Sequence, residues 1–97
     1  MEKFVVVLSQ GDAREFESTA NGQKEMVDVV DLVLTDGLNT FACSAFVKVA
    51  QRLKKEPLRK GAMINANLSF FARKAKNKDG GEFMQQACTL QDYGVIG

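Results

Sequence analysis

The stretch Gly61 to Ala75, GAMINANLSFFARKA, alternates with period two. One phase holds Ala62, Ile64, Ala66, Leu68, Phe70 and Ala72; the other holds Met63, Asn65, Asn67, Ser69, Phe71 and Arg73. Such alternation predicts a long β-strand with one face in a core and one face wet. Lys74, Lys76 and Lys78 follow, and an Asp79-Gly80-Gly81 turn predicts a hairpin into a further strand over Phe83 to Tyr93. The wet face thus ends in an aromatic ring and a cation beside a basic hairpin.

Earlier in the chain, Phe4 to Ser9 is a β-rich apolar run. Gln10-Gly11-Asp12 interrupts it with a bulge or bend, and the same strand is expected to resume through Glu15 to Thr19. An Asn21-Gly22 turn leads to a strand over Glu25 to Thr35, whose two phases are both apolar. Asp36-Gly37 turns the chain again into Asn39 to Lys48. There Phe41, Cys43, Ala45 and Val47 form the apolar face, while Thr40, Ala42, Ser44, Phe46 and Lys48 form the other. From Val47 to Glu56 the period becomes helical, with Val49, Ala50 and Leu53 on one side, and Pro57 ends the helix.

The expected chain order is β-β-β-α-β-β over a single domain, residues 1–97. An all-β, five-stranded Greek-key barrel of the OB type, with one short helix between its third and fourth strands, has this order. Closure would also remove exposed strand edges from so small a sheet. An SH3-type barrel is the alternative, and such barrels rarely carry a full helix before the fourth strand.

Composition narrows the function more by exclusion than by direction. No apolar run approaches the roughly 20 residues that span a bilayer, and the N-terminal run lacks the form of a signal peptide, so a cytoplasmic protein with no membrane partner is expected. The chain has no histidine and two cysteines, which makes a zinc site a poor expectation. Cys43 and Cys88 fall on apolar phases and are expected as buried free thiols. Asp28, Asp31 and Asp36 match no metal-binding loop, and no phosphate loop or nucleophile motif is present. A non-enzyme without cofactor or metal is expected.

Net charge is +1, but it is unevenly spread. Residues 1–36 hold three basic and eight acidic side chains, net −5; residues 37–97 hold ten basic and four acidic, net +6. This asymmetry points to a polyanion. Exposed rings that stack on bases, beside cations that meet phosphates, suit an unpaired nucleic-acid strand. Phe46 and Phe71 are the candidate stacking rings. Lys48, Arg52, Arg59, Lys60, Arg73, Lys74, Lys76 and Lys78 are the candidate cations. Packing under a loop or in an interface is the competing role for each ring, and a solvated helix face for the helix cations. Phe4, Phe16, Phe41 and Phe70 are core or unassigned.

The block AFVKVAQRLKKEPLRKGAMINANLSFFARKAKNKDGGEF resembles the bacterial single-stranded DNA-binding protein family, and the likeness extends from about Val5 to Leu90. It lies in an aromatic followed by a lysine and an alanine opening the helix, a basic pair and a glycine before the next strand, a basic strand end and a charged hairpin. The resemblance implies that Phe46 is a stacking ring with Lys48 beside it, and that Arg73 and Lys74 are the basic pair closing the strand. It also implies a homodimer or homotetramer. The chain departs from the family in having no tryptophan: Thr40 and Ala75 stand where the family's tryptophans fall. The family's linker and acidic tip have no counterpart in this sequence.

The expectation is a sequence-tolerant binder of single-stranded DNA, or of RNA, serving replication, repair or recombination. The alternative is an OB-fold protein-interaction module, such as a primosome or subunit-assembly component, using Met63 and Phe71 as its contact surface.

Overall fold

A computed structural model describes residues 1–20 and 22–97. It contains β1 (Glu2–Gln10), β2 (Arg14–Ala20), β3 (Gln23–Thr35), β4 (Thr40–Phe46), α1 (Lys48–Lys55), β5 (Met63–Lys76) and β6 (Glu82–Val95). The chain is therefore mostly β, with one short helix among the described residues. The expected Asn21-Gly22 turn falls on Asn21, outside the described residues.

The strands form one sheet in the order β1-β5-β6-β4-β3-β2, and β1 also pairs with β3. The ring β1-β5-β6-β4-β3 thereby closes on itself. Every pairing is antiparallel except β4 with β6, which meet in parallel at Ser44 and Thr89.

The expected first strand divides in two. β1 runs along Leu32 to Thr35 of β3, and β2 runs along Gln23 to Val29 of the same strand. At the corner the Gly11 N–H donates to the Asp31 carbonyl at 2.8 Å. A Cβ on Gly11 would lie 3.3 Å from that oxygen, which favours glycine there. The β1–β3 register slips between Val7 and Ser9, so the bend starts before the corner.

Inside the ring lie Val5, Val7, Val30, Leu32, Leu34, Ile64, Leu68 and Leu90, none more than 3% exposed. Burying each such side chain stabilises by roughly 1.5–3 kcal/mol. The ambiguity of β3 resolves here: Val30, Leu32 and Leu34 point inward. Val29 is also buried but lies outside this cluster, paired with Phe46 on one side and Arg14 on the other. Cys43 and Cys88 are free and buried, as their phase requires. Burial, with Cys88 and Asp31 nearby, pushes the Cys43 thiol up to about 12.

The alternation of β5 holds only as far as the ring does. Ile64, Ala66 and Leu68 are buried, whereas Phe70 is 41% exposed and Ala72 is exposed. Beyond Leu68, whose N–H and carbonyl still bond Met1, β5 keeps only β6. The β5–β6 hairpin therefore projects from the ring with both faces wet. The β2–β3 hairpin projects in the same manner, because β4 reaches no further along β3 than Val29.

Helix α1 packs Ala50 and Leu53 into the core, with Val49 at its edge. Gln10 ties it to the sheet: the side-chain amide donates to the Leu53 carbonyl at 3.2 Å and accepts from the Leu58 N–H at 2.9 Å. Arg52, Lys54 and Lys55 occupy the last turn, where the helix dipole favours cations. Two expectations fail at its start. Val47 is not an inward strand residue but is 45% exposed, at φ 52°. Lys48 is the first helical residue rather than the end of a strand face. The turn from strand to helix is tight: the Val47 N–H donates to the Asp28 carbonyl and its own carbonyl accepts from the Gln51 N–H, each at 2.9 Å.

No helix among the described residues is long and apolar enough to cross a membrane.

A β-branched residue is disfavoured at positive φ. Val47→Gly is therefore expected to raise stability by about 1 kcal/mol, read as a higher urea midpoint with an unchanged slope. A lowered midpoint would mean that the exposed Val47 side chain contributes more than its backbone costs.

Asp36 closes the β3–β4 turn. Its carboxylate accepts from the Lys3 ammonium at 2.8 Å and from the N–H groups of Leu38 and Asn39 at 2.9 and 2.7 Å. These contacts, the lysine's above all, hold its pKa well below the usual carboxylate range. A group depressed on folding stabilises the fold above its unfolded pKa, and that stability is lost as pH falls through the folded one. Wild-type protein should accordingly lose stability below about pH 4. Asp36→Asn should flatten that acid limb in pH-dependent denaturation, and an unchanged limb would rule out this contribution.

Candidate nucleic-acid interface

Because β4 and β6 touch at Ser44 and Thr89, their outward side chains border a groove of about 210 Å³. β4 contributes Ala42, Ser44 and Phe46, and β3 contributes Asp31. The projecting hairpin contributes Phe71 and Arg73 from β5, with Gln85, Ala87 and Thr89 from β6. The ladder explains the order: Ser69 pairs with Thr89, Phe71 with Ala87 and Arg73 with Gln85, all on one face.

Phe46 and Phe71, placed 25 residues apart by sequence, thus share one groove, 38% and 44% exposed. Arg73 stands one same-face step beyond Phe71. The remaining cations divide. Lys74 and Lys76 lie on the projecting hairpin opposite Met84 and Glu82, with Lys78 in its turn. Asn77 shapes that turn by accepting the Asp79 and Gly81 N–H groups at 3.1 and 2.8 Å, and Gly80 supplies the positive φ of 81°.

Arg52, Arg59 and Lys60 line a different cavity, about 470 Å³, between α1 and the end of β6, which shares no residue with the groove. Arg52 is already engaged there: its guanidinium lies 3.0 Å from Asp92 and 4.1 Å from the centre of the Tyr93 ring. Tyr93 is buried, which raises its pKa. Lys48, at the start of α1, lines neither space.

Residues that the sequence pattern left unassigned touch the lining of the groove from β2. Phe16 of β2 packs edge-on against Phe46, with ring centres 6.0 Å apart at 64°, and stays 41% exposed. The two rings form an edge-to-face pair. Arg14, two residues before Phe16 on the same phase, lies with its Nε 3.1 Å from Asp31. The Ser44 hydroxyl donates to the same carboxylate at 2.7 Å. The Ser44 hydroxyl first, and Arg14 with it, lower the Asp31 pKa against partial burial, so Asp31 is ionised at neutral pH. The alternation Arg14-Glu15-Phe16 was the available signal, obscured by the acidic residues between.

Asp28, Asp31 and Asp36 each have a cationic partner: Lys54 at 3.4 Å, Arg14 at 3.1 Å and Lys3 at 2.8 Å. Among the described residues no cluster of three or more metal-ligating side chains occurs.

Opposite this chemistry, on β1 and the start of β5, Phe4 and Met63 line a separate recess of about 330 Å³ with Val6. Phe4 is 69% exposed, against its reading as core or unassigned. Met63 and Phe71 border different recesses.

The chain matches no protein-family model and no curated protein.

Proposed function

We propose that the chain binds single-stranded nucleic acid, DNA in the first instance, across the groove between β4 and the β5–β6 hairpin. The observation that carries this reading is the convergence of Phe46, Phe71 and Arg73 on one open groove, with Phe16 packed edge-on behind Phe46. Each base stacked on an exposed ring contributes roughly 1–3 kcal/mol, whatever its identity.

The connectivity fits a Greek-key OB-fold barrel, taking bent β1–β2 as one strand. The parallel β4–β6 contact and the helix after β4 fit the same arrangement. In that fold oligonucleotides lie on the second and third strands, here β3 and β4, and against the hairpin joining the last two. The groove occupies that position. Arg73, Lys74, Lys76 and Lys78 would meet phosphates along the hairpin. Arg52, Arg59 and Lys60 have a smaller part in this reading, since they surround another cavity. Association into a homodimer or homotetramer belongs to it, because one barrel of this kind covers only about 4–16 nucleotides. A role in replication, repair or recombination, and no catalytic step, complete the proposal.

The second reading, a protein-interaction module, has support of its own in the exposed Phe4 and Met63 on the far strands.

Fluorescence anisotropy with labelled oligo-dT decides between them. Affinity should fall steeply with salt, with a log–log slope of about −0.7 for each phosphate neutralised. Phe46→Ala and Phe71→Ala should each weaken binding about 5- to 150-fold with the slope unchanged. Arg73→Ala should lower the slope itself. No binding at low salt would overturn the nucleic-acid reading, and unchanged affinity in both phenylalanine variants would overturn the stacking assignment.

A further inference from the structure

The groove contains a carboxylate, which is unexpected where a polyanion is to lie. Asp31 sits opposite Ser44 in the β3–β4 ladder, and Phe46 is the next residue of β4 on the same face. One same-face step is about 7 Å along a strand. A pyrimidine stacked on Phe46 and directed along β4 toward Ser44 therefore carries its ring substituents over the Asp31–Ser44 pair.

The hydrogen-bonding character of that pair is fixed. An ionised carboxylate only accepts, and it has about four lone-pair sites. Arg14 uses two, with Nε 3.1 Å from Oδ2 and Nη2 3.4 Å from Oδ1, and the Ser44 hydroxyl uses a third at 2.7 Å from Oδ1. The side chain remains 51% exposed and lines the groove, and Oδ2 accepts from Arg14 alone among the described residues. Ser44 has spent its only hydrogen on Asp31 and offers lone pairs as well. The open positions of the Asp31–Ser44 pair itself are therefore acceptors.

We propose that Asp31 makes the groove favour cytosine over thymine, by accepting a hydrogen bond from the 4-amino group of a cytosine stacked on Phe46. Cytosine presents a donor at that ring position, whereas thymine and uracil present a carbonyl oxygen. A carbonyl oxygen there would face the carboxylate acceptor to acceptor. Arg14 offsets the charge of Asp31 toward the phosphates and holds the carboxylate in place. The inference rests on the stacking role proposed for Phe46.

Competition titrations of the full chain with oligo-dC, oligo-dU and oligo-dT of equal length, at neutral pH and fixed low salt, test it. The dC–dU comparison holds the five-position hydrogen constant and changes the four-position donor to an acceptor. Wild-type protein should bind oligo-dC about three- to tenfold more tightly than either competitor, the low end of base discrimination because the site is half exposed. Asp31→Asn should bring the dC:dU ratio close to one, with oligo-dU and oligo-dT bound no more weakly than by the wild type, since a negative charge leaves the groove. Tight binding of all three without preference in the wild type overturns the role of Asp31 and leaves the general reading standing. A preference that survives Asp31→Asn also overturns it. Absence of binding to every oligonucleotide overturns both.

Discussion

Ring closure hangs on the meeting of β4 and β6 at Ser44 and Thr89. Each other contact in the ring is an antiparallel ladder of four or more pairs, so this is the seam. A short parallel contact contributes little hydrogen bonding of its own. What holds it is beneath it: Cys43 and Cys88, the residues preceding the bonded pair on each strand, face inward and are buried. Phe41 and Phe70 pack edge-on at 5.6 Å one step further out. The seam is thus closed by apolar contact on the inside, while its outside is free to carry polar and aromatic chemistry.

That division explains why the groove lies where it does. Strands that share a long ladder present a continuous surface. β4 and β6 share only a point of contact, so their outward side chains spread apart and leave a furrow. The β5–β6 hairpin, freed from its other neighbour beyond Leu68, rises along one margin and brings Phe71 and Arg73 with it. On the other margin, β2 adds Phe16 and Arg14 because the chain bends at Gly11 instead of ending there. Both hairpins project for one reason, that their partner strands are shorter than they are. Asp31 of the acidic first third and Arg73 of the basic remainder thereby line one furrow, a consequence of topology rather than of local sequence.

The period-two pattern located the strands well where both neighbours were present, as at Ile64, Ala66 and Leu68. It failed where a strand outran its neighbours: Phe70 and Ala72 keep the phase of the core but have no core to enter. Phase is a local property, whereas burial depends on what lies across the sheet, and period alone cannot report that. Val47 shows a second limit. Its apolar phase continued the strand, but the tight entry into α1 takes its backbone to positive φ and turns the side chain out. Phe46 and Phe71 were recognisable as outward rings; their sharing of one groove depended on the β4–β6 contact, which no local signal encodes. Arg52, Arg59 and Lys60 looked equivalent to Arg73 by charge alone. Only the fold separates them, by engaging Arg52 with Asp92 and Tyr93 around another cavity.

The packing of Phe16 against Phe46 restrains a ring that would otherwise stand alone at a strand end. A lone phenylalanine on a strand end offers a smaller stacking face than an indole and is free to change rotamer. An edge-to-face neighbour restricts that freedom, and such pairs contribute roughly 0.5–1.5 kcal/mol beyond area burial. Phe16 is in turn held on β2, whose seven pairs with β3 fix its height above the sheet. A ring positioned in advance loses less side-chain entropy when a base settles on it, a cost of about 0.5–1.5 kcal/mol for an unrestrained side chain. In the proposed binding role Phe46 would therefore be a ring positioned in advance, with the support coming from a strand that the sequence presents only as the far side of a bend.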